Sequence, residues 1–317
     1  MQKNTTRREF MHAAAYAATG LVASAEALSA AMPEPQAPSP SASMAVRFRE
    51  LMRGVEPFVC PAAHDALTAR LIEVEGFKGL FIGTSAAASI GYALPDNGSI
   101  STMEILEYAR KIAASVNIPA LADADDFGNQ PLNIYRNARE FQKAGIAAVM
   151  FDDRTPRARS NGTNDVISKN QMIDNIRAAA DGRTDVVLTV RCYSTDRQDN
   201  LDRCIAYANA GADVIYPGAG LRTAEEFARV ADAVKKPLMT TLNANMTVSR
   251  MKESRISVAN GGSLVNIALG AVEKALIEMR TTGAMTGAQT GTLSRETALK
   301  LTRQQEMDEK TRKYNLR

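Results

Sequence analysis

Ile118-Pro119-Ala120-Leu121-Ala122-Asp123-Ala124-Asp125-Asp126-Phe127-Gly128-Asn129 is the stretch on which the reading of this chain turns. The apolar run up to Ala122 reads as a buried parallel strand, and Gly128-Asn129 is a turn before a helical pattern begins. Three carboxylates therefore stand where a strand runs out. Side chains alternate along a strand, so Asp123 and Asp125 point to one side and Asp126 elsewhere. Two like charges held together repel unless a proton or a cation sits between them. A hard divalent cation such as magnesium suits an all-oxygen pair of this kind.

On both sides of this stretch, short apolar runs alternate with longer amphipathic ones. The candidate strands are Phe58-Val59-Cys60, Gly79-Leu80-Phe81-Ile82, Ala120-Leu121-Ala122, Ala147-Ala148-Val149-Met150-Phe151, Val186-Val187-Leu188-Thr189-Val190, Val214-Ile215-Tyr216, Leu238-Met239-Thr240-Thr241 and Ile256-Ser257-Val258. Helical periodicity fills 103–114, 134–144 and 200–210, and Gly145 and Gly211 stop the last two. Eight such units specify an α/β chain folded as a (β/α)8 TIM barrel. The competing open, doubly wound sheet lacks its glycine-rich turn after the first strand. A barrel puts its chemistry at the C-terminal ends of its strands.

Those ends are polar. Gly83-Thr84-Ser85 leaves the second strand, a small-residue turn whose backbone N–H groups suit a carboxylate, and Asp96 follows in Leu94-Pro95-Asp96. The fourth strand ends in Asp152-Asp153-Arg154 and the fifth in Arg191-Cys192-Tyr193. Asp96, Asp123, Asp125 and Asp152 make a candidate cation site, facing an anion site built on Arg191. Taken singly, each has a plainer explanation: a turn or cap for Asp96, a surface charge for Asp152, a structural ion pair for Arg191. Alternation places Tyr193 on the side of Arg191, as a proton donor or a wall residue, and turns Cys192 away as a small core residue. Beyond His12, His64 is the chain's one other histidine, at a strand-to-helix junction that suits a cap or packing role.

The chain's 317 residues suffice for a full core, and 38 basic against 35 acidic side chains leave a formal charge of +3. With no basic stripe, nucleic acid is not an expected partner. Thr6-Arg7-Arg8-Glu9-Phe10-Met11 followed by an Ala-rich segment reads as a twin-arginine signal over residues 1–30, against an uncleaved anchor or a simple Ala-rich helix. The expectation is export, to the periplasm for instance, with no stable membrane association once the signal is removed. Residues 31–47 read as a Pro/Ser-rich linker and 48–317 as the barrel with a C-terminal helical extension.

Several segments, in order, resemble the isocitrate lyase/phosphoenolpyruvate mutase superfamily. They are Pro61-Ala62-Ala63-His64-Asp65-Ala66-Leu67-Thr68-Ala69-Arg70-Leu71, Gly76-Phe77-Lys78-Gly79, Leu94-Pro95-Asp96, Asp123-Ala124-Asp125 and the Arg191 strand. The resemblance implies a (β/α)8 barrel with its last helix swapped between subunits of a dimer or tetramer. It implies bound Mg2+, and making or breaking of bonds beside a 2-oxo acid or its enolate. It also implies roles: Asp123 and Asp125 as metal-site aspartates, Asp96 and Asp152 as outer acidic residues, with Asp152 standing where relatives carry Glu. The resemblance implies that Gly83, Thr84 and Ser85 occupy the segment that grips a substrate carboxylate, and that Arg191 matches the arginine that binds substrate oxygens. The helical stretch 293–317, with Leu299, Leu301 and Met307, becomes part of a subunit contact.

Departures from the family pattern narrow the activity. The lyases with a Lys-Lys-Cys-Gly-His loop draw a proton from its cysteine, whereas this chain reads Arg154-Thr155-Pro156-Arg157-Ala158-Arg159-Ser160-Asn161 there. Arg159-Ser160-Asn161 matches the Lys-Thr-Asn of the mutase and phosphonopyruvate hydrolase branches only loosely, and the metal turn is one residue short before Gly128. The expected activity is magnesium-dependent carbon–carbon lysis of a small 2-oxo or 2-hydroxy carboxylate, oxaloacetate-type decarboxylation being the simplest case. The alternatives are a phosphonopyruvate hydrolase or mutase acting on a C–P bond, and an exported, non-catalytic carboxylate-binding protein.

Overall fold

The computed structural model describes residues 43–218, 221, 223–287 and 291–314. The signal segment and most of the linker lie outside them. Eight strands form one all-parallel sheet: β1 Phe58–Cys60, β2 Leu80–Ile82, β3 Ala120–Asp123, β4 Ala148–Asp152, β5 Val187–Arg191, β6 Val214–Tyr216, β7 Leu238–Thr241 and β8 Ile256–Asn260. Their order, β1-β8-β7-β6-β5-β4-β3-β2, leaves only β1 and β2 to meet. They do so just beyond β1, where Ala62 bridges Phe81 and Ala63 N–H donates to Phe81 O at 2.8 Å. The eight expected strands thus close into a TIM barrel.

Alternation divides the core into two layers. Cys60, Phe81, Leu121, Met150, Val187 and Val258 point into the barrel, while Leu80, Ile82, Ala122, Val149, Leu188 and Ile215 pack outward against the helices. The helices between strands are α2 Ala66–Val74, α3 Thr84–Tyr92, α4 Thr102–Ala113, α5 Pro131–Lys143, α6 Pro156–Asn161, α7 Lys169–Gly182, α8 Arg197–Ala210, α9 Ala224–Val234 and α10 Val248–Glu253. They follow α1 Met44–Met52 and precede α11 Val265–Thr282, α12 Arg295–Leu301 and α13 Gln304–Lys313.

Two boundaries differ from expectation. The barrel unit begins at α1, four residues before position 48, because Ser43 Oγ accepts the Val46 N–H at 3.2 Å and starts a helix that buries Ala45 and Phe48. Phe48 then meets Phe58 edge-on at 5.3 Å. The C-terminal stretch is two helices rather than one, broken where Arg303 turns left-handed at φ 52°. Two arginines hold that break against the barrel: Arg303 donates to Ser115 O at 3.2 Å and Arg70 to Lys300 O at 3.4 Å. Leu301 is buried there, and Leu299 and Met307 are exposed.

Candidate functional site

The sequence reading ended β3, β4, β5 and β8 at their last apolar residues, but strand pairing continues one or two residues further into polar ones. Asp152 stands opposite Arg191, and Asn260 stands opposite both Cys60 and Thr241. The mouth of the barrel is therefore built by strand ends together with the loops and helix starts that follow them. A cavity of about 200 Å³ opens there, lined among others by Gly83, Thr84, Ser85, Asp96, Asp123 and Arg191. Six sequence-predicted residues thus meet at one surface. Asn260, Gly262 and Ser263 line it too; the sequence reading missed them, although the rule applied to the other strand ends would have reached Asn260.

One wall is cationic and aromatic. The Arg191 guanidinium lies 4.3 Å from the Tyr193 ring centre and 4.5 Å from that of Tyr216. Its Nε is buried without a hydrogen-bond partner. Tyr193 shares this side of the strand, as alternation requires. It does not itself line the cavity, because its ring is clamped between Arg191 and Arg154, whose guanidinium lies 4.1 Å away. Burial pushes its phenol well above the usual tyrosine range, against the opposing pull of Arg191, so it stays protonated. Cys192 faces the helical layer, where Asn200 Nδ2 reaches its Sγ at 3.5 Å.

The neighbouring wall is the start of α3. Gly83 occupies the cap position with no side-chain cap, and the first turn from Thr84 to Ala86 lines the cavity, a setting that favours anions. Thr84 Oγ1 donates to Asp96 Oδ1 at 3.5 Å. His64 stands apart from this cavity; its Nε2 meets Thr68 Oγ1 at 3.1 Å beside Asp65, which caps α2.

The acidic wall is strained. Asp125, Phe127 and Asn129 have left-handed backbones, with φ of 53°, 58° and 56°. Such a run among non-glycine residues persists only where its surroundings enforce it. Here Asp125 O accepts the Asp152 N–H at 2.9 Å, Asn137 Nδ2 donates to Phe127 O at 2.9 Å, and the Phe127 ring packs on Phe141 and Phe151. The Asp126 carboxylate accepts the Gly128 N–H at 2.9 Å.

Asp123 and Asp125 are both pushed above the usual carboxylate range. Burial is the first cause, and repulsion is the second, from Asp152 on Asp123 and from Asp123 on Asp125. A buried, oxygen-only group with excess negative charge matches a hard divalent cation in kind. Among the described residues, however, no three such side chains converge as a ready ligand set. Asp125 and Asp152 are instead bridged by Arg159 from α6, which donates to Asp125 Oδ1 and, at 2.8 Å, to Asp152 Oδ1. Arg154 takes the other Asp152 oxygen at 3.2 Å. Hence Asp123 and Asp96 face the cavity, whereas Asp125 and Asp152 do not line it.

A closed parallel barrel with a charged pocket at its C-terminal mouth is the architecture of a TIM-barrel enzyme. Residues 48–280 match the phosphoenolpyruvate phosphomutase family. The chain is 34% identical over 219 residues to a 2-methylisocitrate lyase of Halalkalibacterium halodurans, covering 66% of this chain and 70% of that one. It is 30% identical over 263 residues to an oxaloacetate decarboxylase of Rhodopseudomonas palustris, covering 80% and 90%. A phosphonopyruvate hydrolase structure in complex with oxalate and magnesium superposes with a TM-score of 0.75 at 25% identity, covering 86% of this chain and 99% of that one. The chain belongs to the isocitrate lyase/phosphoenolpyruvate mutase superfamily and is an enzyme of that lyase type.

Proposed function

We propose that the protein is a magnesium-dependent carbon–carbon lyase acting on a small 2-oxo or 2-hydroxy carboxylate, with oxaloacetate-type decarboxylation as the simplest reaction. The observation that carries this reading is that Asp123 and Arg191 line one small cavity together with a helix start. Asp123, with Asp96, Asp125 and Asp152 around it, would hold the magnesium, which when bound supplies positive charge for the oxygens of a 2-oxo acid as the adjacent bond breaks. Arg191, which lines the cavity, holds a substrate carboxylate, and its stacking on Tyr193 and Tyr216 fixes the guanidinium before substrate arrives. The first turn of α3, from Gly83 to Ser85, accommodates the second anionic group. The fixed charges act by electrostatic stabilisation rather than by covalent chemistry.

The test is pyruvate release from oxaloacetate and from phosphonopyruvate, each with magnesium and with a chelator. Magnesium-dependent release from oxaloacetate alone supports the reading. Release from phosphonopyruvate moves the protein to C–P chemistry, and tight carboxylate binding without turnover of either makes it a binding protein.

The same reading includes export by the segment around Arg7 and Arg8, and assembly with further copies of the chain. The second point is supported by α11, whose only buried residue is Val265 and which exposes Ile267, Leu269, Val272 and Leu276. Helix exchange between subunits would cover that apolar face. A monomer by light scattering would remove the assembly, and a mature N-terminus retaining Arg7 and Arg8 in the exported fraction would remove the cleaved signal.

A further inference from the structure

Arg159 is the feature that the proposed activity does not absorb. Its side chain is 4% exposed, on a helix of only six residues. That helix is held from several directions. Thr155 Oγ1 accepts the Ala158 N–H at 3.0 Å, Thr163 N–H returns to Ala158 O at 2.9 Å, and Ser160 Oγ reaches Asn97 O at 3.4 Å. The Arg159 side chain crosses Gly98, where an added Cβ would lie 3.2 Å from its Cδ. It thus runs past the segment that carries Asp96 and ends between Asp125 and Asp152. Burial alone disfavours the charged guanidinium, and the carboxylates of Asp152, Asp125 and Asp123 more than offset that cost.

This contact is a cation already seated on two carboxylates of a pocket whose chemistry suits a divalent one. A guanidinium and a divalent cation against the same carboxylates repel each other, strongly so where water is excluded. With Arg159 in place, three buried acidic groups are tolerated without metal; with Arg159 removed, they attract a cation more strongly. We infer that Arg159 is an internal counter-cation that competes with the divalent cation for Asp125 and Asp152, so that metal uptake and withdrawal of α6 from the barrel mouth are linked. The linkage is reciprocal: whatever holds α6 down weakens metal binding, and metal loosens α6. The inference rests on the magnesium reading of the site and adds to it a latch belonging to this chain.

The experiment is Mn2+ binding to the metal-stripped full chain, followed through the free-ion electron paramagnetic resonance signal, for wild type, R159K and R159M. Competition predicts that R159M binds Mn2+ about tenfold more tightly than wild type, a typical size for coupling between sites. R159K, which keeps the charge but not the two-pronged reach, falls between them. In wild type, amide hydrogen exchange across 155–163 should rise when Mn2+ is added. Thermal unfolding shows whether R159M still folds, and if it does not, R159K and the wild-type exchange experiment carry the test. Equal or weaker Mn2+ binding by the variants, or exchange across 155–163 that falls with Mn2+, overturns the latch and leaves the lyase reading standing. Absence of Mn2+ binding in all three overturns both.

Discussion

Asp152 and Asp153 are consecutive residues of one strand end and differ in almost everything that matters. Asp153 points out of the barrel, fully buried among helices, and each of its oxygens is used: Tyr193 N–H donates at 2.8 Å, Tyr207 Oη at 2.7 Å, and the Arg203 guanidinium stands 3.5 Å away. Asp152 points into the barrel, beside Asp123 and Asp125, in a pocket where carboxylates crowd together. Outside the sheet, charge is matched donor for acceptor and ties β4 to β5 and α8. Inside, acidic groups gather in excess, held by Arg159 and Arg154. A one-residue step along a strand thus separates a charge that builds the fold from one that builds the site.

That contrast breaks first if the outer aspartate proves dispensable. Asp153→Ala leaves the Tyr193 N–H and Tyr207 Oη without their acceptor in the core, and a loss of about 2–6 kcal/mol is expected in urea unfolding, at about 1–3 kcal/mol for each orphaned donor. The inner group should behave oppositely. Asp123→Ala should lower magnesium-dependent turnover by about 10²–10³-fold, as loss of a main transition-state charge contact does. Its melting temperature should hold or rise, because one of the repelling carboxylates is gone. A large destabilisation without loss of activity would reverse the assignment. A finer cut is Tyr207→Phe, which takes one donor from Asp153 and should cost about 1–3 kcal/mol of stability, since it leaves an acceptor underused in the core.

The two layers were not equally legible in the sequence. The apolar middle of all eight strands was visible because burial on both faces produces short continuous runs. Their polar ends were legible at Asp152 and Arg191, which the reading placed at strand ends, but not at Asn260, which is paired as strand two residues beyond the run assigned to β8. The neighbourhood of Asp123, Arg191 and Gly83–Ser85 followed from the rule that barrel strand ends converge. Arg159 escaped because it reaches Asp125 from 34 positions along the chain, through a short helix capped by Thr155 that looks like loop sequence. The left-handed Asp125 and Phe127 left no composition signal either, being enforced by Asn137 and by the Phe141 and Phe151 rings. Asp153 was passed over for its neighbour, because a buried structural carboxylate is recognised by its partners, which lie on α8.

The smallest expected effect is also the one that weighs the excess charge directly. Asp123 and Asp125 hold their protons more tightly in the folded chain than ordinary carboxylates do, through burial first and repulsion second, from Asp152 on Asp123 and from Asp123 on Asp125. Between the ordinary carboxylate range and these raised values the folded state binds more protons than the unfolded one, so stability falls as pH rises across that window. The chelated protein should therefore melt a few degrees higher at about pH 5 than at about pH 8, because both lie above the ordinary carboxylate range while only the lower lies beneath the raised values, about 6 for Asp123 and about 8 for Asp125. Asp125→Asn should flatten this slope, because it removes one of the two raised groups. Asp153→Asn should leave the inner contribution in place. Equal slopes for wild type and Asp125→Asn would mean that Arg159 already neutralises the inner group as completely as Arg203 and Tyr207 satisfy the outer one, and the distinction between the two faces of β4 would then be one of access rather than of charge.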